Sequence, residues 1–140
     1  MTLYSTLYKK CLARIEDPSL VQLPEEDLEN MLYEWLMSAV AKMRKCSSDL
    51  SDRDDELRQF NIDLTDIEIE VLSILMVRAW ISQQLHSVTN TLMVFSGKEA
   101  KYYSQAQHIS ELRALDENLK IEAQKLSRDC TYSDNDYFGN

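Results

Sequence analysis

Between Asp49 and Ile81 the chain reads DLSDRDDELRQFNIDLTDIEIEVLSILMVRAWI, an acidic, cap-rich loop running straight into the most apolar helix of the sequence. The first half is too polar to form a core. The second half is apolar on almost every face, so other elements must surround it. A chain this short is expected to share that burial between its own helices and a neighbouring subunit. Only a fold that wraps one central helix satisfies the pattern.

Composition points the same way. With 140 residues the chain is long enough for one core and not for two. It holds two glycines and two prolines, fewer than the turns of an all-β or Rossmann-type chain require. The expected class is therefore all-α, a bundle of about four main helices spanning residues 1–130, followed by an extended C-terminal tail over 131–140.

Leu3, Tyr4, Leu7, Tyr8, Cys11, Leu12 and Ile15 recur at helical spacing, and Pro18 ends that first helix. Pro24 stands where a first helical residue would, followed by Glu25, Glu26 and Asp27, acids suited to the positive end of a helix dipole. Leu28 to Met43 then forms a broad apolar face, with Lys42, Arg44 and Lys45 in the last turn. The segment from Ser47 to Asp63 is polar, with room for a short helical piece and a weak capping signal at Ser51 and Asp54.

Thr65 and Glu68 make a capping box, with Leu64 and Ile69 as its hydrophobic staple. The central helix runs to about Gln84 or beyond; Ser82 to Asn90 is either a break or the exposed face of a continuing helix, and Ser96-Gly97 is the stop. A last helix is expected from Tyr102 to about Arg128, striped by Ile109, Leu112, Leu115, Leu119, Ala123 and Leu126. The remaining CTYSDNDYFGN has no helical period; it is either disorder or a docking peptide.

The formal net charge of −9 disfavours a nucleic-acid groove or an anionic membrane as main partner, since both need clustered Lys and Arg. No apolar run reaches membrane-spanning length and no signal sequence opens the chain, so a soluble protein is expected. Cys11, Cys46 and Cys130 lie far apart, with no zinc spacing and no implied disulfide framework.

Asp49, Asp52, Asp54, Asp55 and Glu56 invite a calcium loop. Counted from Asp52, however, the required glycine position holds Leu57, so a solvated capping loop is the better reading. His86 and His108 have no ligand partners at helical spacing, and no nucleotide, hydrolase or metalloprotease motif is present. The chain is expected to be neither an enzyme nor a holder of any metal or cofactor.

The run Arg44-Lys45-Cys46, Asp49 to Glu56, Phe60-Asn61, Asp63 to Asp66 and Glu68-Ile69, with Tyr103 to His108, resembles head-to-tail connector (neck, adaptor) proteins of tailed bacteriophages infecting Gram-positive bacteria. The likeness covers roughly Tyr8 to Tyr132; residues 1–5 and 133–140 match nothing in it. The resemblance implies a structural virion protein at the head–tail junction, assembled in the host cytoplasm. It implies a mainly helical subunit that forms a ring, usually twelvefold, beneath the portal protein. Tail or stopper proteins would dock on that ring, and DNA would pass through it only as cargo.

In that frame Asp49, Asp52, Asp54, Asp55 and Glu56 are expected to face the channel or an adjacent subunit's basic helix end. Thr131, Tyr132, Tyr137 and Phe138 are expected to dock a partner. The competing expectations are a small acidic DNA mimic that inhibits a host nucleic-acid enzyme, and a metal-dependent enzyme built from dispersed carboxylates. The first needs DNA-like charge spacing on one face, whereas the acids here cluster in one loop.

Overall fold

The computed structural model describes residues 1–15, 20, 22–43, 49–94 and 99–138, with side-chain surroundings given outside 88–105 and 129–138. Its elements are β1 (Thr2–Leu3), α1 (Tyr4–Arg14), α2 (Glu25–Lys42), β2 (Arg53–Asp54), β3 (Gln59–Phe60), α3 (Asp66–Val94) and α4 (Glu99–Phe138). The class is all-α, a bundle of four helices, as the scarcity of glycine implies.

The heart of the bundle is α3. Every residue from Val71 to Val77 is buried, and so is Ile81. The cover comes from α1, α2 and α4 of the same chain. Leu7 and Cys11 of α1 and Leu32, Trp35, Leu36 and Ala39 of α2 reach the common core with Leu112, Leu119 and Ala123 of α4. Over that stretch the monomer buries its apolar helix by itself, so the expected help from a neighbouring subunit is not needed there. At roughly 1.5–3 kcal/mol per buried aliphatic side chain, this centre supplies the main drive for folding.

The capping box forms as its residues predict. The Glu68 N–H donates to Thr65 Oγ1 at 3.2 Å, and the Thr65 N–H donates to Glu68 Oε1 at 3.1 Å. Leu64 is buried and Ile69 packs against the core. Pro24 stands one position earlier than expected: it is the N-cap of α2 rather than its first helical residue.

Two elements differ from expectation. The 47–63 segment holds no helical piece among its described residues, 49–63; it contributes β2 and β3, which join β1 in an antiparallel sheet of order β1–β3–β2. The backbone of α4 is helical to Phe138, where an extended tail was expected from residue 131. The central helix runs beyond Gln84, as one of the two expectations had it, and Ser82 to Asn90 continue it to Val94. Pro18, residues 44–48 with Cys46, and Ser96-Gly97 lie outside the described residues.

α3 and α4 are joined by a short connection, which favours antiparallel neighbours, and Arg78 Nε reaches Asp116 Oδ1 at 2.9 Å. Counting from that pair, α4 outruns the start of α3 by roughly ten residues, about 15 Å at helical rise. Among the described residues no helix is long and apolar enough to cross a membrane.

Candidate interface: a braced acidic hairpin

The acids of the 49–56 cluster sit on one hairpin, and the chain's start holds it in place. β3 pairs with β2 through Arg53↔Phe60 and Asp54↔Gln59, and with β1 through Thr2↔Phe60 and Leu3↔Gln59. The Thr2 hydroxyl donates to the Ile62 carbonyl at 3.3 Å and accepts the Leu64 N–H at 3.0 Å. Phe60 is fully buried edge-on to Tyr4, with ring centroids 5.0 Å apart. Leu50 adds a second buried anchor.

Most of the carboxylates serve the hairpin itself. Asp49 accepts the Ser51 N–H and hydroxyl, which hold its carboxyl below the usual aspartate range. Asn61 donates to Asp52 at 3.0 Å. Asp54 accepts the backbone N–H groups of Glu56 and Leu57 at 3.0 and 3.1 Å, fixing the tip as an Asx-type turn. Asp55 accepts the Tyr4 hydroxyl at 2.7 Å, with Arg53 Nε 3.4 Å away. The Tyr4 hydrogen bond, then Arg53, lowers the Asp55 carboxyl. Burial, then that same hydrogen bond, raises the Tyr4 hydroxyl above its ordinary range.

Reversing the chain in the four residues Asp55 to Arg58 places Arg58 at φ 55°, the left-handed region that side chains with a Cβ avoid. Two contacts hold it. Its guanidinium lies over the Tyr33 ring, 3.8 Å from the centroid, and its carbonyl accepts the Tyr4 N–H at 3.0 Å. Glu29 is at ion-pair distance, 4.0 Å.

The result is an acidic projection, braced by these contacts, whose apex is Glu56 and Leu57. Leu57 is 65% exposed, the most exposed large apolar side chain described. Of the five acids expected at an interface, Asp49, Asp52, Asp55 and Glu56 are exposed and Asp54 is half-buried. The structure brings all five together on this one feature. The side chains of Thr131, Tyr132, Tyr137 and Phe138 lie outside the described residues, although their backbone belongs to α4.

Leu57, Arg58 and Tyr33 were missed as parts of the site. The signal for Leu57 was available, since it is an isolated apolar residue in a polar loop. Nothing local marks Arg58 for a positive φ.

Two clefts flank α2. One, of about 380 Å³, lies under the hairpin against Leu3, Tyr8, Leu28, Glu29, Leu57 and Arg58. Tyr8 is buried with no partner for its hydroxyl among the described residues, and burial pushes that group up to about 12. The other, of about 360 Å³, lies at the opposite end of α2, between it, α3 and α4. Its floor is Val71, Leu75 and Ala123, and Lys42, Arg78 and Lys120 are the cations on its walls.

Cys11 is fully buried and its thiol is pushed up to about 12 by that burial, which suits packing rather than nucleophilic chemistry. His86 and His108 are exposed. Among the described residues no group of three or more His, Cys, Asp or Glu is arranged to hold a metal ion.

No family model, no curated protein and no solved structure matches this chain.

Proposed function

We propose that this protein is a structural connector of a tailed-phage neck, a ring-forming adaptor between the portal and the tail or stopper proteins that extends the DNA channel. It performs no reaction and holds no cofactor. The observation that carries this reading is the braced hairpin. Residues 49–69, which hold most of the likeness to phage neck proteins, are the residues that fold into the acidic projection and the cap of α3. A projection stiffened by a capped turn and a cation–π contact is suited to presenting a surface rather than to filling a core.

Charge supports the same reading. A chain of net charge −9 repels a phosphate backbone, as the wall of a DNA conduit must. The overhang of α4 beyond α3 offers a second point of attachment, and Thr131, Tyr132, Tyr137 and Phe138 lie on it.

The deciding experiment is a tagged pull-down from lysate of the source system, with mass spectrometry of the captured proteins and negative-stain images of the eluate. Portal or tail proteins together with ring-shaped particles are expected. A single host enzyme, released by moderate salt and without rings, would replace the connector with the DNA-mimic inhibitor.

A further inference from the structure

The hairpin tip and the far cleft of α2 are complementary in charge, each setting an apolar surface beside unpaired charges, and one molecule cannot bring them together. At the tip, exposed Leu57 stands beside the exposed carboxylate of Glu56, which makes no ion pair among the described residues. Asp54 and Arg58 fix the backbone on either side. At the other end, a cleft of about 360 Å³ has an apolar floor and carries the exposed ammonium groups of Lys42 and Lys120. Among the described residues neither lysine makes an ion pair. Its third cation, Arg78, is held by Asp116.

The tip lies beside the N-terminal half of α2, where Arg58 covers Tyr33 and approaches Glu29, whereas Lys42 is the last residue of that helix. Glu29 and Lys42 are about 20 Å apart along the axis at helical rise. Tip and cleft can therefore meet only between two copies.

We infer that the Glu56–Leu57 tip of one copy seats in the Lys42–Lys120 cleft of the next. Leu57 covers the Val71, Leu75 and Ala123 floor, and Glu56 pairs with the two lysines. The pairing desolvates an aliphatic group that otherwise faces water. Because two different surfaces meet, the contact is heterologous. Repeated, it yields a closed ring when the rotation closes and an open filament when it does not. The inference rests on the ring reading above and supplies its subunit contact.

Sedimentation velocity on the full chain over a wide concentration range tests it, with circular dichroism confirming that each variant is folded. The wild type is expected to self-associate, more strongly at low salt. Leu57→Ala, Glu56→Lys and the pair Lys42→Glu with Lys120→Glu should each weaken association at least tenfold. Mixing the Glu56→Lys protein with the Lys42→Glu/Lys120→Glu protein should restore it, because opposite charges again face each other. A wild type that stays monomeric throughout, or variants that associate as it does, would overturn the contact.

The two proposals fail separately. Rings captured with a portal but indifferent to these substitutions would remove the contact and keep the connector. Self-association abolished by them, with no portal or tail protein captured, would keep the contact and remove the connector.

Discussion

The Tyr4 hydroxyl donates to Asp55 Oδ1 at 2.7 Å, tying the first turn of α1 to the hairpin turn 51 residues later in the chain. The Tyr4 ring is fully buried and packs on Phe60 and Tyr33 at centroid distances of 5.0 and 6.2 Å. One side chain thus anchors the projection to the core by its ring and to the turn by its hydroxyl.

Removing that hydroxyl should loosen the hairpin and leave the bundle intact. Tyr4→Phe is expected to cost about 1–2 kcal/mol, because the partner is a carboxylate. Hydrogen exchange of residues 53–60 should accelerate while amides in the middle of α3 keep their protection. Equal loss in both places would show that the hairpin and the bundle open as one unit.

Arg58 reverses the usual ranking of alanine and glycine. Alanine at a φ of 55° keeps the backbone cost and loses the Tyr33 contact, whereas glycine avoids the cost. Arg58→Gly is expected to exceed Arg58→Ala in stability by about 1 kcal/mol. Urea denaturation of the two variants measures the difference, and alanine as the more stable would refute the strain.

Glu70 joins α1 to α3. Lys10 Nζ and Arg14 donate to its two oxygens at 2.6 and 2.9 Å, and these bonds, Lys10's first, hold its carboxyl below the ordinary glutamate range. A lowered folded-state pKa means that this stability is present above the unfolded value, about 4.3, and is lost as pH falls through the folded one. The group is partly exposed, so the contribution is modest, up to about 1 kcal/mol, and salt weakens it. Thermal melts of Glu70→Gln should sit below wild type at pH 7 and converge with it in strong acid.

The cap of α3 should respond unequally to its two members. Thr65→Ala removes the acceptor of the Glu68 N–H and is expected to cost about 1 kcal/mol. Glu68 is 2% exposed and its Oε2 has no partner among the described residues, so Glu68→Gln removes a buried charge while keeping an oxygen for the Thr65 N–H. It should be neutral or stabilising. Guanidinium denaturation curves for both variants test the asymmetry.

Legibility in the sequence followed the range of the interactions. The period of Leu7 and Cys11, the acids of Glu25 to Asp27 and the Thr65–Glu68 box all act within a few residues. For that reason α1, α2 and the start of α3 could be placed from the sequence. The clustering of Asp49 to Glu56 is equally local, and it marks the interface candidate by charge density alone.

The hairpin's form was beyond that reach. Its turn contains no glycine and its register is set by Thr2, Leu3 and Phe60, separated by nearly sixty residues. The left-handed Arg58 is held by Tyr33 of α2 under its guanidinium and by the Tyr4 N–H on its carbonyl, both distant in sequence. In the same way the Lys42–Lys120 cleft exists only where α2, α3 and α4 converge. The sequence by itself determined α1, α2 and the start of α3, the apolar centre and the acidity, because periodicity, capping and net charge are properties of neighbouring residues and of their sum. Only tertiary structure decided that Asp55 braces the loop while Glu56 beside it faces outward, because the Tyr4 hydroxyl that holds Asp55 lies 51 residues away in the chain.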